Sequence, residues 1–186
     1  MKKGVLLLLF VLGVQVFTCG VEINTCHQTI SPEYKVTTLS SDTISLGYIF
    51  EKGILLLIND YTCTGCKESV FDYLNSVAWD TGQARFYAIG RVGNNDMGKR
   101  VIRTYIQERL PGLTDVFFDI QEGNDPYPPI DVKGGLFEQF GISRTPVLLL
   151  INNSTGYHKL ISYQEMYNGT SISAYCRQQV RDFLNG

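Results

Sequence analysis

The residues best suited to chemistry are Cys63 and Cys66, which are separated only by Thr64 and Gly65. An unbroken apolar run at 54–58 precedes them, and apolar residues at helical intervals follow. This order predicts a buried strand, a turn, and an amphipathic helix that begins near Cys63. Backbone N–H groups and the dipole at a helix N-terminus stabilise an anion, so Cys63 is the expected reactive thiolate. Cys66 follows one turn later, close enough to form a disulfide and expel a bound substrate.

Two cysteines at this spacing also fit a metal site or a purely structural disulfide. Zinc normally needs two more cysteine or histidine ligands at a defined spacing. The chain has only two histidines, His27 and His158, and neither belongs to a second pair motif. Haem attachment needs a histidine after the second cysteine, where this chain has Lys67. Redox chemistry is therefore the preferred interpretation, and we expect neither a metal nor an organic cofactor.

The N-terminus has the pattern of a secretory signal peptide. Lys2 and Lys3 precede a nearly continuous apolar run at 5–17, which is too short to span a membrane comfortably. We therefore predict that 1–20 is a signal peptide and that the protein is exported. The destination is the periplasm or cell envelope of a bacterium, or the secretory lumen or exterior of a eukaryotic cell.

The sequence leaves open how this signal is processed. The stretch that ends at Cys19 resembles a bacterial lipoprotein signal, in which the cysteine is lipidated and tethers the protein to a membrane. Phe17 and Thr18 are unusual for such a signal, and ordinary cleavage after Gly20 fits equally well.

Export also affects how the other cysteines are interpreted, because disulfides persist outside the cytosol. If Cys19 is removed or lipidated, Cys26 and Cys176 remain beside the Cys63–Cys66 pair. They form either a second, structural disulfide or two unrelated thiols, and their sequence positions do not decide between the two.

Strands and helices alternate along the rest of the chain, which predicts an α/β fold with parallel strand pairs. A β-hairpin is expected from strands at 34–39 and 44–50. Further strands are predicted at 54–58, 84–89, 116–120, 147–151 and 157–163, with helices after Cys66, at 101–110 and at 136–140. Residues 121–135 read as a loop. An amphipathic helix that includes Ile172 closes the chain, with Thr170 or Ser171 as its cap.

The composition fits a folded globular domain rather than a disordered or fibrous chain. The hydrophobic fraction is 44% and the formal net charge is only −2. Because no basic patch is visible in the sequence, we expect no nucleic-acid partner.

A second motif, Thr145-Pro146 followed by an apolar strand, gives the sequence a specific resemblance. The order of buried strand, CxxC, helix and Thr-Pro strand resembles the thioredoxin superfamily, and exported TlpA-like members in particular. The resemblance implies a thioredoxin-like fold over 45–186, with a central mixed β-sheet flanked by helices and an N-terminal extension at 21–44. It also implies that Pro146 is cis beside the cysteine pair and that the main chain of Thr145 binds an extended substrate peptide.

The implied activity is thiol–disulfide exchange with protein cysteines, supported by a redox partner protein. The sequence departs from the family at Thr62, where tryptophan is usual, and at Leu57, where many members have a buried acid. Asp60 and Glu68, the nearest acids, read as solvated residues. The absence of a histidine between the cysteines, together with the negative charges of Asp60 and Glu68 nearby, favours the reducing or isomerising direction. The departures keep open a second hypothesis, a non-catalytic binding or structural module with an inert Cys63–Cys66 disulfide.

Overall fold

The computed structural model describes residues 35–49, 51–59, 62–77, 85–91, 96–119 and 135–186. The strands are β1 (Lys35–Thr37), β2 (Thr43–Ser45), β3 (Lys52–Asn59), β4 (Arg85–Arg91), β5 (Asp115–Asp119), β6 (Val147–Asn152), β7 (Tyr157–Ile161), β8 (Tyr167–Asn168) and β9 (Ser171–Ile172). The helices are α1 (Thr64–Ser76), α2 (Asp96–Arg109), α3 (Gly135–Gln139), α4 (Tyr163–Met166) and α5 (Ala174–Asn185), and a short 3-10 turn spans Leu46–Tyr48.

Seven of these strands form one mixed sheet in the order β2-β1-β5-β4-β3-β6-β7. Strands β3, β4 and β5 run parallel to one another, whereas β6 is antiparallel to β3 and β7 is antiparallel to β6. The expected parallel pairs are therefore confirmed. Strand β3 has neighbours on both sides and leads directly to the cysteine pair.

The apolar run of β3 is buried on both faces of the sheet. Ile54, Leu56 and Ile58 belong to one core cluster, which also takes in buried residues of α1, α2 and α5. Leu55 and Leu57 belong to a second cluster on the opposite face, which includes residues of α3. Because side chains alternate along a strand, one apolar run supplies both layers.

A hairpin is present near the predicted position and is part of the main sheet, but its second strand is Thr43–Ser45 instead of 44–50, because a 3-10 turn follows at Leu46–Tyr48. Strand β1 pairs with β2 around a turn in which Ser41 has φ 66°. Strand β1 also pairs with β5 in antiparallel fashion. The hairpin therefore extends the sheet beyond β5.

The start of the last helix differs from the prediction. Ser173 is the N-cap, and its hydroxyl accepts a hydrogen bond from the Cys176 N–H at 3.0 Å. Ile172 lies in β9, paired with Tyr167 across a turn at Gly169, whose φ is 64°. This small hairpin holds the residues just before the helix in extended conformation, so the helix begins later than expected.

Several predictions fall outside the described residues. These are the signal peptide at 1–20 with Cys19, the remainder of the extension up to 34 with Cys26, and most of the loop at 121–135. Within the described ranges, every helix is too short or too polar to cross a membrane.

Candidate active site

Cys63 and Cys66 lie at the start of α1, as the sequence predicts. Cys63 is the N-cap and is exposed, whereas Cys66 is half-buried one turn into the helix. The two form a disulfide with their Cα atoms 5.3 Å apart. The Cys66 N–H donates a hydrogen bond to the Cys63 Sγ at 3.2 Å. The same N–H is well placed to stabilise a Cys63 thiolate after reduction, because charge strengthens such a bond.

The loop that precedes β6 lies against the loop that precedes α1. The Thr145–Pro146 peptide bond is cis, as the resemblance implied. The Thr145 Oγ1 is 2.6 Å from the Thr62 Oγ1, and both hydroxyls lie about 3 Å from the Asn59 Oδ1, at 3.0 and 2.9 Å. This buried polar cluster joins the end of β3, the cysteine loop and the cis-proline loop. The hydroxyl of Thr62 therefore links the cysteine loop to the cis-proline loop, which a tryptophan at this position could not do in the same way.

Two tyrosines that sequence reasoning did not single out contact Cys66. The Tyr163 Oη is 3.3 Å from the Cys66 Sγ. The Tyr167 hydroxyl donates to the Cys66 carbonyl oxygen at 2.6 Å, and the two rings lie with centroids 4.9 Å apart. Burial raises the pKa of Tyr167, so its hydroxyl stays a neutral donor.

A sequence signal for this segment did exist. Ser162 and Glu165 form a capping box that starts α4: the Ser162 hydroxyl accepts from the Glu165 N–H, and the Glu165 carboxylate accepts from the Ser162 N–H. That pattern is visible in the sequence and ends the strand predicted at 157–163 early: β7 stops at Ile161, and Tyr163 is the first residue of α4. The contact with Cys66, 97 residues earlier in the chain, is not visible there.

A cleft of about 360 Å³ lies beside the site. One wall is the segment that leads to the cis bond, and the other is the end of β7 with the start of α4. Its lining residues are Gly141, Ile142, Ser143, Arg144, Val147, Leu160, Ser162, Tyr163 and Gln164. Tyr163 lines this cleft and also contacts Cys66, so one side chain joins the cleft to the cysteine pair.

Leu57 and Glu68 have distinct environments. Leu57 is fully buried in the second core cluster, so the position where the resemblance implies an acid is apolar. Glu68 is not simply solvated, which corrects that expectation. Its carboxylate pairs with Arg109 at 2.8 Å and accepts a hydrogen bond from the Tyr105 hydroxyl at 3.1 Å. The Arg109 guanidinium therefore balances the negative charge of Glu68. Asp60 lies outside the described residues.

Cys176 differs from Cys63 and Cys66 in both position and chemistry. It lies on α5 as a free thiol with 0% exposure, and burial raises its pKa to about 12. Since Cys26 lies outside the described residues, the Cys26–Cys176 disulfide stays a prediction. In the described part of the chain, no group of three or more potential metal-ligating side chains comes together.

We expect Cys176 to resist alkylation in the folded, reduced protein. Almost none of this buried thiol is ionised at neutral pH, and the thiolate is the reactive form. Iodoacetamide treatment at pH 8 followed by peptide mapping should label Cys63 and leave Cys176 unlabelled until denaturant is added. Labelling of Cys176 at the rate of Cys63 under native conditions would contradict the burial described here.

The same thiol predicts a loss of stability at alkaline pH. Its pKa is about 12 in the folded protein against a reference of 9.0, so between these values the unfolded chain has lost the proton and the folded chain retains it. The free energy of unfolding should therefore fall as the pH rises above about 9. Urea unfolding at several pH values should show a shallower fall in a Cys176→Ala variant than in the wild type.

No family model and no curated protein matches the sequence of this chain. Solved structures do match the fold. A secreted disulfide oxidoreductase of Mycobacterium tuberculosis, homologous to DsbE of Escherichia coli, aligns over 82% of this chain and 94% of its own, with 12% identity and a TM-score of 0.52. A thio-disulfide isomerase from Thermus thermophilus aligns over 82% and 90% of the two chains, with 14% identity and a TM-score of 0.53. At these identities the likeness is one of fold, and it shows that the chain has a thioredoxin-like fold, with a central mixed sheet between helices.

Proposed function

We propose that this protein is an exported thiol–disulfide oxidoreductase that exchanges disulfides with cysteines of other proteins. One observation carries the proposal: an exposed Cys63 at a helix N-terminus is disulfide-bonded to a half-buried Cys66 beside a cis-proline loop. The names of the two similar structures, a disulfide oxidoreductase and a thio-disulfide isomerase, support the same chemistry.

The exchange needs only the two thiols of the reduced protein. The Cys63 thiolate attacks one sulfur of a substrate disulfide, that S–S bond breaks, and the other substrate sulfur leaves as a thiolate. Cys66 then attacks the Cys63 sulfur of the mixed disulfide, and the second substrate sulfur leaves. The substrate has gained two electrons and the Cys63–Cys66 pair has lost two. A redox partner protein with a dithiol of its own then restores the reduced pair.

Thr145 and Pro146 are the proposed substrate-binding residues. The Thr145 hydroxyl is already held by Thr62 and Asn59, so its main chain is the part that remains to bind a peptide. An extended segment that follows the cleft beside Arg144 and Tyr163 would place its cysteine near Cys63. This arrangement fits a protein substrate better than a small disulfide.

The proposed direction is reduction or isomerisation. Strong oxidases hold their attacking thiolate very firmly, often with a histidine between the two cysteines. Thr64 and Gly65 supply no charge, and the nearby Glu68 is balanced by Arg109. The reduction potential is therefore expected nearer to that of thioredoxin, about −270 mV, than to that of the periplasmic oxidase, about −120 mV.

The alternative function is a binding module with an inert disulfide. The fully buried Leu57, at the position where many relatives have an acid that assists proton transfer, is the observation that favours it. The two hypotheses differ in one property of the folded protein. An inert pair resists reduction by thiols, whereas a catalytic pair exchanges readily.

A trapping experiment tests the proposed function. A Cys66→Ser variant, expressed with its N-terminal segment in its own host, should accumulate mixed disulfides between Cys63 and substrate proteins, because no second thiol resolves them. These adducts should disappear when the sample is reduced. A double variant with both Cys63 and Cys66 replaced by serine is the control, and equal adducts from that control would count against Cys63 as the nucleophile. Mass measurement of the mature protein would show whether Cys19 is lipidated or removed.

A further inference from the structure

A polar side chain that the exchange reaction described above does not use lies next to the sulfur of Cys66. This is the Tyr163 hydroxyl, at 3.3 Å from the Cys66 Sγ. A disulfide sulfur has no proton to donate, so in this state the hydroxyl must be the donor. The bond therefore points from the phenol to the sulfur.

Tyr163 is held in this position by its surroundings. It is the first residue of α4, directly after the capping box formed by Ser162 and Glu165. Its ring lies against that of Tyr167, whose hydroxyl is fixed on the Cys66 carbonyl oxygen. The hydroxyl is thus presented to the sulfur by two features that do not depend on substrate.

The other hydrogen bonds of Cys66 within the described residues involve no ionised group. In the described part of the chain, its N–H donates to the Cys63 Sγ and its carbonyl accepts from Tyr167. The apolar Leu57 stands where relatives have a buried acid, and it is fully enclosed in the second core cluster. Among the residues that the structure describes, the Tyr163 phenol is thus the polar side chain placed to stabilise a negative charge on the Cys66 sulfur.

We propose that Tyr163 is a further catalytic residue, whose hydroxyl donates a hydrogen bond to the Cys66 thiolate and so promotes its attack on the mixed disulfide. This inference rests on the proposed function. A thiolate accepts a stronger hydrogen bond than a thiol does, so the phenol favours the ionised form. The thiol proton leaves to water, Tyr163 keeps its own proton, and the electron pair of the thiolate forms the new bond to the Cys63 sulfur.

The test measures the ionisation of Cys66 without any substrate. In a Cys63→Ser background, Cys66 is alkylated with iodoacetamide across a pH series, and its peptide is quantified separately from those of the other cysteines. Adding Tyr163→Phe should move the midpoint of the rate profile upward by about one pH unit and slow alkylation at pH 7 about threefold, because the smaller thiolate fraction is partly offset by the higher nucleophilicity of a more basic thiolate. Phenylalanine keeps the ring that packs on Tyr167, so circular dichroism should show an unchanged fold.

Tyr105→Phe is the matched control. Tyr105 is also a half-buried tyrosine whose hydroxyl contacts α1, but it donates to Glu68 instead of a cysteine. Its loss should leave the Cys66 profile unchanged. If Tyr163→Phe also leaves the profile unchanged, the inference is overturned.

A kinetic experiment separates this inference from the proposed function. With both cysteines present, the reduced protein is mixed with oxidised glutathione, and the formation and resolution of the mixed disulfide at Cys63 are followed. Tyr163→Phe should leave formation unchanged and slow resolution about threefold. Equal resolution rates in the variant and the wild type would refute the role of Tyr163, whereas a wild type that forms no mixed disulfide would refute the proposed function.

Discussion

Replacing Cys63 with serine is expected to lower the rate of disulfide exchange by at least about a thousandfold, because a serine hydroxyl is a far weaker nucleophile than a thiolate. Cys63 is exposed and receives the Cys66 N–H at the N-terminus of α1, which is the arrangement that favours a thiolate. The rate of reduction of a peptide disulfide, with a dithiol as electron source, is the measurement. The fold should be unaffected, since an exposed Sγ is replaced by an oxygen.

Cys176→Ser is a poor control for this experiment, because it places a hydroxyl in the core. Cys176→Ala is the better one, since it keeps the site apolar. We expect that variant to retain full exchange activity while losing some stability. Exchange that survives in Cys63→Ser would place the nucleophile elsewhere and would contradict the assignment of Cys63.

The largest expected effect on stability comes from Phe71. This residue lies on α1, little more than one turn beyond Cys66, and is only 1% exposed in the core that α1 shares with the sheet. Its ring packs against Tyr105 of α2, with centroids 5.8 Å apart. Phe71→Ala should lower the free energy of unfolding by about 3–5 kcal/mol, because it removes a large buried side chain and leaves a cavity. Urea unfolding would measure this change.

Met97→Ala provides the control for Phe71. Met97 is on α2 and is 77% exposed, so its truncation should change the free energy of unfolding by no more than about 0.5 kcal/mol. A Phe71→Ala variant as stable as Met97→Ala would mean that α1 is not packed as described. The burial of Phe71 assigns it to core packing.

Much of the framework was predictable because it depends on local pattern. The apolar run in β3 and the helical spacing after Cys66 placed Cys63 at a helix start, and the structure confirms that position. The cis Thr145–Pro146 bond was implied by the family resemblance, and the hairpin of β1 and β2 was expected from two β-prone stretches. Each of these features is encoded within a short stretch of sequence.

The features that could not be predicted involve contacts between distant segments. Thr62 meets Thr145 across 83 residues, and Cys66 meets Tyr163 across 97. Nothing in either short stretch indicates its partner, since the contact exists only once β6 and β7 have joined the sheet. The cap of α5 was misplaced for a related reason: the pairing of β8 with β9 moves the helix start to Ser173.

The Glu68 environment shows how such contacts affect a functional argument. From the sequence, Glu68 counted as a negative charge near the cysteines. In the structure Arg109, a residue of α2, balances that charge. The expectation of a reducing or isomerising enzyme therefore rests on the uncharged Thr64 and Gly65 between the cysteines.

The most direct test of the central claim is the redox equilibrium of the folded wild-type protein. The protein is equilibrated with glutathione or dithiothreitol buffers of graded potential, and free thiols at Cys63 and Cys66 are counted by alkylation and peptide mapping. A redox-active pair predicts that both thiols appear together in one two-electron transition, at a potential nearer to about −270 mV than to about −120 mV. A disulfide that stays oxidised in excess dithiothreitol until the protein is unfolded would contradict the account and favour the inert module.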